Sequence, residues 1–161
     1  MEQKDEIGKL HGHWKFEIYK GDNRTKENLI EVREGDNTVV TNGKQLLLDR
    51  LFATAGFGGP INSMGVGNSA TASASTDTQL GGSAPSPVLQ ALDSTPTRAG
   101  LVATCISTFA TGTANQTWQE LGLFNGTVNG TSIMLNRIAP IGPFTKTASV
   151  SIVVTVTITQ S

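Results

Sequence analysis

The sequence predicts a mainly β protein: an antiparallel β-sandwich or jelly roll of about eight strands with one short helix. Three observations predict it. Apolar and polar residues alternate with period two, most plainly at Val150, Ile152, Val154, Val156 and Ile158. Turn residues such as Asn129-Gly130 separate the alternating segments. Only one stretch, Thr41–Phe52, carries a helical stripe, with Leu47 and Leu51, and Leu48 and Phe52, four residues apart.

The elements follow in chain order. Residues 1–12 read as a flexible or extended arm whose apolar side chains are Met1, Ile7 and Leu10. Residues 13–161 form a single sandwich domain, long enough to bury a sizeable core. Trp14, Phe16 and Ile18 alternate with Lys15, Glu17 and Tyr19 in a first strand over 13–19. A second strand over 29–34 is expected to end at Gly35-Asp36-Asn37, and a short third covers 38–40. In the helix, Asn42 is the expected N-cap, with Gln45 reaching back to it, and Gly56 lies where helices often stop. Its N-terminus sits near a glycine-rich loop, where anions bind in other folds. Without a βαβ context, we expect a plug: Leu47, Leu48, Leu51 and Phe52 closing one end of the sandwich.

Residues 61–67 read as a strand with close backbone approach at its glycines. Residues 68–78 are mostly Ser, Thr and Ala and read as a surface loop. Pro85, Pro87 and Pro96 argue against a central strand between about 83 and 97. Strands are expected again over 100–109, 118–124 and 132–138, the last two joined by a tight hairpin at Asn129-Gly130. The final strand has Val153 as its one apolar residue on the outer face.

Composition narrows the function classes. The formal net charge is −1, which does not favour nucleic acid or an acidic membrane. No apolar run approaches the roughly 20 residues that span a bilayer. The charged start Met1-Glu2-Gln3-Lys4-Asp5-Glu6 lacks an apolar signal core, so synthesis in a cytoplasm is expected. Cys105 lies in an apolar run and reads as a buried thiol. Residues 1–52 hold 9 of the 12 Lys and Arg and 10 of the 13 Asp and Glu. The remaining surface must be built from Ser, Thr, Asn and Gln. Such a surface suits packing against copies of the chain or a larger assembly, and equally a neutral face in water.

Chemical motifs are sparse. Gly65-Val66-Gly67-Asn68-Ser69-Ala70 fits a dinucleotide fingerprint, but no helical pattern follows to meet a pyrophosphate. His11-Gly12-His13 puts two imidazoles on one strand face without a third ligand. They read as incidental, with a trimer-axis metal built from one pair per subunit as the alternative. The Asn-x-Thr triplets at Asn23, Asn115, Asn125 and Asn129 read as turn chemistry. Asp77, Asp93 and Glu120 are too scattered to form a recognisable acid/base pair. No cofactor is expected.

The order of segments is nevertheless distinctive. Asn37-Thr38-Val39-Val40-Thr41-Asn42-Gly43 precedes the Leu-rich helix. Met64-Gly65-Val66-Gly67-Asn68-Ser69-Ala70 leads to Asp77-Thr78-Gln79-Leu80. Glu120-Leu121-Gly122-Leu123-Phe124 and Phe144-Thr145-Lys146-Thr147 come before the last strand. From about residue 13 onward this resembles a family of small β-sandwich virion proteins of tailed bacteriophages.

The resemblance implies a structural protein without catalytic residues, a capsid decoration (cement) protein or a tail or fibre part, often a homotrimer. The expected partner is the major capsid protein on the capsid exterior, with no nucleic acid, membrane or small-molecule substrate. The arm and the Ser/Thr-rich loop are the expected contact regions, with Ile7, Leu10, His11, His13, Asn68, Ser69, Thr71, Ser73 and Ser75 as candidates. The alternative is a tail or fibre component binding a host receptor or glycan, for which Trp118 and Tyr19 are the available aromatics.

Overall fold

A long alternating stretch makes the first strand, and that strand frames the rest. The computed structural model describes residues 9–52, 56, 58–82 and 87–161. Strand β1 (Leu10–Lys20) buries Trp14, Phe16 and Ile18. It pairs along its whole length with β11 (Val150–Gln160), from Leu10↔Gln160 to Lys20↔Val150. The alternation expected in β11 is borne out, with Ile152, Val154, Val156 and Ile158 buried. Because β11 is so long, Leu10, His11 and Gly12 are drawn into the sheet, and the strand starts three residues before the expected start at residue 13. Ile7 lies outside the described residues.

Strand β2 (Leu29–Val39) corrects a second expectation: it runs straight through Gly35-Asp36-Asn37. Gly35 makes room for an aromatic ring instead of turning the chain. A Cβ there would lie 3.0 Å from the Trp14 indole. The first part of β2 pairs with β1, and its last residues pair with β9 (Met134–Ile138) through Thr38↔Arg137 and Val39↔Asn136. This strand is therefore the corner at which the sheet folds over.

The other strands are β3 (Ser63–Gly67), β4 (Val88–Ala91), β5 (Thr97–Ala99), β6 (Val102–Phe109), β7 (Thr117–Trp118), β8 (Glu120–Phe124) and β10 (Phe144–Thr145). Nine strands form one curled sheet in the order β4-β3-β8-β9-β2-β1-β11-β6-β5, every ladder antiparallel. The mainly β expectation holds, with eleven strands in place of about eight among the described residues. The additions are short, and β4 and β5 lie at the sheet edges, where Pro87 and Pro96 are tolerated. The far side of the curl is held by side chains. Ser107 donates to the Ala91 carbonyl (3.1 Å), and the Asp93 carboxylate accepts the Thr108 amide (2.9 Å) and hydroxyl (2.7 Å).

Strands β7 and β10 make a small second sheet that carries Trp118 into the core. Its ring centroid lies 4.9 Å from Phe109, 5.8 Å from Phe16 and 6.5 Å from Phe144, and its Nε1–H donates to the Ala114 carbonyl at 2.9 Å. Strands β8 and β9 are joined by residues 125–133, not by a two-residue turn at Asn129-Gly130. The Asn129 amide is occupied elsewhere, bonding both backbone groups of Leu80 at 3.1 Å.

Helix α1 spans Thr41–Phe52 as the stripe predicts, but it turns the stripe outward. Gly43 and Leu46 are its buried residues. A Cβ on Gly43 would lie 2.1 Å from the Leu135 carbonyl oxygen, so only a glycine lets the helix backbone press on β9. That contact selects the inward face. Leu47, Leu48, Leu51 and Phe52 are left 40, 56, 74 and 68% exposed, and the plug expectation is overturned. The Asn42 cap is also corrected. The helix begins at Thr41, whose amide donates to the Ser75 carbonyl at 2.8 Å.

This orientation has a direct consequence for stability. Leu46→Ala should cost about 2–5 kcal/mol as a buried truncation. Leu51→Glu should change the stability of the isolated subunit by less than about 0.5 kcal/mol as a surface change. Chemical denaturation of both variants checks the pair, and a large loss from Leu51→Glu would return the stripe to the core.

Candidate functional site

The Ser/Thr-rich segment after β3 lacks apolar anchors until Leu80, so its shape must come from polar contacts. One guanidinium supplies most of them. Arg137 on β9 is 3% exposed, and Glu120 on β8 is fully buried. Arg137 Nε donates to Glu120 Oε2 at 3.0 Å, Nη1 to Asp77 Oδ2 at 2.8 Å, and Nη2 to the Thr71 carbonyl at 3.1 Å. Glu120 in turn accepts the amides of Ser69 (3.2 Å) and Gly81 (3.0 Å), one at each end of the loop. Asp77 accepts the Ala74 amide at 2.8 Å. Gly67 is needed at the loop entrance, since a Cβ there would fall 2.2 Å from Glu120 Oε1.

Asp77 and Glu120, which looked scattered in sequence, are thus brought together by one cation. Their oxygens face fixed donors, so the cluster clamps residues 68–82 to the sheet. The loop is an ordered platform, further tied by Gln119 to the Asn68 carbonyl (2.9 Å) and by the Ser73 amide to the Ala139 carbonyl (3.1 Å). Of the expected contact residues, Thr71 and Ser75 are exposed, and Asn68, Ser69 and Ser73 are half-buried. The loop therefore presents a polar surface without charge apart from Asp77. The signal for this site was a Glu and an Arg inside otherwise apolar strands. Their pairing required the β8–β9 register, which places Leu121 opposite Ile138.

A second buried charge works the same way. Lys146 is 1% exposed, and its Nζ donates to the carbonyls of Ala110 (2.7 Å) and Thr111 (3.4 Å) and to Asn115 Oδ1 (2.8 Å). Burial pulls its ammonium below the ordinary lysine value, opposed by the Asp22 carboxylate. Asp22 itself accepts the Thr111 amide (2.9 Å) and hydroxyl (2.7 Å). These bonds hold its carboxyl below the ordinary 3.8.

The two histidines have different surroundings. His13 Nδ1 lies 3.1 Å from Asp36 and its Nε2 lies 3.8 Å from Glu34, whereas His11 lines a groove beside α1. Among the described residues, no group of three or more His, Cys, Asp or Glu could hold a metal ion. The groove encloses about 910 Å³ between α1 and the ends of β1, β2 and β11. Leu10, Val39, Leu47 and Leu51 line it, with Lys9 and Lys44 at its sides. The Asn37 amide, also on its wall, makes no hydrogen bond among the described residues. Trp118 is fully buried and Tyr19 half-buried, so Trp118 offers no exposed aromatic platform.

Comparison with family models, curated proteins and solved structures finds no match.

Two outcomes follow from these clusters. Arg137→Met leaves Glu120 buried and unpaired and should cost about 3–5 kcal/mol, while adding Glu120→Gln should restore part of the loss. Denaturant unfolding of the single and double variants reads this directly. Asp22 contributes stability that is complete above pH 3.8 and is lost as pH falls through its lowered folded value. The melting-temperature gap between the wild type and Asp22→Asn should therefore narrow on acidification. A gap that is constant with pH would contradict the role of the Thr111 bonds.

Proposed function

We propose that the protein is a non-enzymatic bacteriophage capsid decoration (cement) protein. In this reading it binds the major capsid protein on the outer surface of the head, as a homotrimer, and stabilises contacts between capsomers. The observation that carries the reading is the clamped, nearly uncharged platform at residues 68–82. A surface already held in shape loses little conformational freedom when it docks.

Charge use supports the same reading. Residues 53–161 carry six charged side chains. Glu120, Arg137 and Lys146 are buried, while Asp77 and Asp93 bond to donors within the fold. The platform and its surroundings therefore meet a partner through neutral hydroxyl and amide groups. Each such contact is modest, and many copies on one shell add their effects by multivalency. The motif order that resembles phage virion proteins points the same way. A tail or fibre component binding a receptor is the other reading, but burial of Trp118 removes its main support.

The test is to mix the purified protein with expanded heads that lack it. Saturable binding at a fixed copy number per capsomer, raised head stability and weak dependence on salt are expected. Thr71→Arg with Ser75→Arg should reduce head binding by about tenfold or more without loss of folding. Absence of head binding, or binding to host cells in its place, would overturn the proposal.

A further inference from the structure

Exposed apolar side chains are not scattered over this molecule. Among the described residues, most of the large ones lie on two elements: Leu47, Leu48, Leu51 and Phe52 on α1, and Leu29, Ile30 and Val32 on β2. Each patch continues into charge, and the two signs are opposite. Beside the α1 stripe, the groove brings in Lys9 and Lys44. Along the outer face of β2, Ile30 and Val32 (59 and 46% exposed) are followed by Glu34 and Asp36, whose side chains are 64 and 92% exposed.

We propose that a second copy of this chain occupies the α1 groove, its β2 row docking head-to-tail onto the α1 face, and that this contact closes the trimer. Ile30 and Val32 of one copy cover Leu51 and Phe52 of the next. Glu34 of the first then reaches the positive side of the groove, where Lys44 can receive its carboxylate. Helix-to-helix pairing is the less favourable arrangement, since it would bring Lys9 and Lys44 of both copies together. The two patches use different surfaces, so the contact is heterologous, and such contacts close into rings when the rotation between them allows it. Asp36 and Asn37 are neighbours on β2 that point to its two sides, so the two patches use different sides of that strand. This inference adds the joining surfaces to the proposed trimer and does not depend on the capsid.

Light scattering on the full chain after size separation tests it. The wild type should run as a trimer. The helix-face variant Leu51→Glu with Phe52→Glu and the strand-face variant Ile30→Lys with Val32→Lys should each be monomeric. Their equimolar mixture should form dimers, because one compatible pair of faces survives. A gentler pair keeps the test sound if a double variant misfolds. Lys44→Glu or Glu34→Lys alone should weaken association about tenfold, and combining the two in one chain should recover it, because every contact of the ring then again joins opposite charges. A monomeric wild type would overturn the inference, even if that monomer still bound heads. A strand-face variant that remains fully oligomeric would overturn it as well, in favour of helix-to-helix contact.

Discussion

A carboxylate with no exposure must have its charge answered inside the protein, and the structure around Glu120 is arranged by that requirement. Arg137 answers it from the neighbouring strand. The guanidinium then has donors left over, and these reach Asp77 and the Thr71 carbonyl. The second acceptor capacity of Glu120 is used by the amides of Ser69 and Gly81. One ion pair therefore locks two strands and both ends of a loop that has almost no apolar content. A buried ion pair is weak as a source of net stability, because desolvation offsets its attraction. Its effect here is conformational: it holds residues 68–82 in one shape.

The same logic recurs wherever the sandwich needs an irregular segment fixed. Lys146 gathers carbonyls and an amide from residues 110–115, and Asp22 fastens Thr111 from across the molecule. Asp93 fastens the far side of the curl to β6. Of the six charges of the C-terminal two thirds, Glu120, Arg137 and Lys146 are buried, and Asp77 and Asp93 fasten irregular segments. The consequence for function is a surface of hydroxyls and amides that is rigid and nearly neutral. Charge and exposed apolar side chains are instead concentrated on the N-terminal part, where β2 and α1 carry them on separate faces.

Period-two alternation made β1 and β11 legible in the sequence, because each has one face in the core and one outside. The helix was legible in position but not in orientation. Four apolar residues on one face point to the core only if nothing else competes, and Gly43 competes by letting the backbone itself approach β9. Gly35 misled for a related reason, since a glycine beneath an indole and a glycine in a turn look alike in sequence. The interface candidates in the loop were legible as a polar surface. What fixed that surface was not, because Asp77, Glu120 and Arg137 meet only through strand register and a long connection. The exposed α1 stripe was hidden by its own amphipathic pattern, which reads as core.

The central claim is that the loop at 68–82 is held as a rigid platform by buried charge. Hydrogen–deuterium exchange at the amides of Ser69, Ala74 and Gly81 tests it most directly, since these donate to Glu120 and Asp77. Protection approaching that of the β8 and β9 amides is expected. Exchange at the rate of an open surface chain would contradict the clamp, and with it the platform on which the proposed function rests.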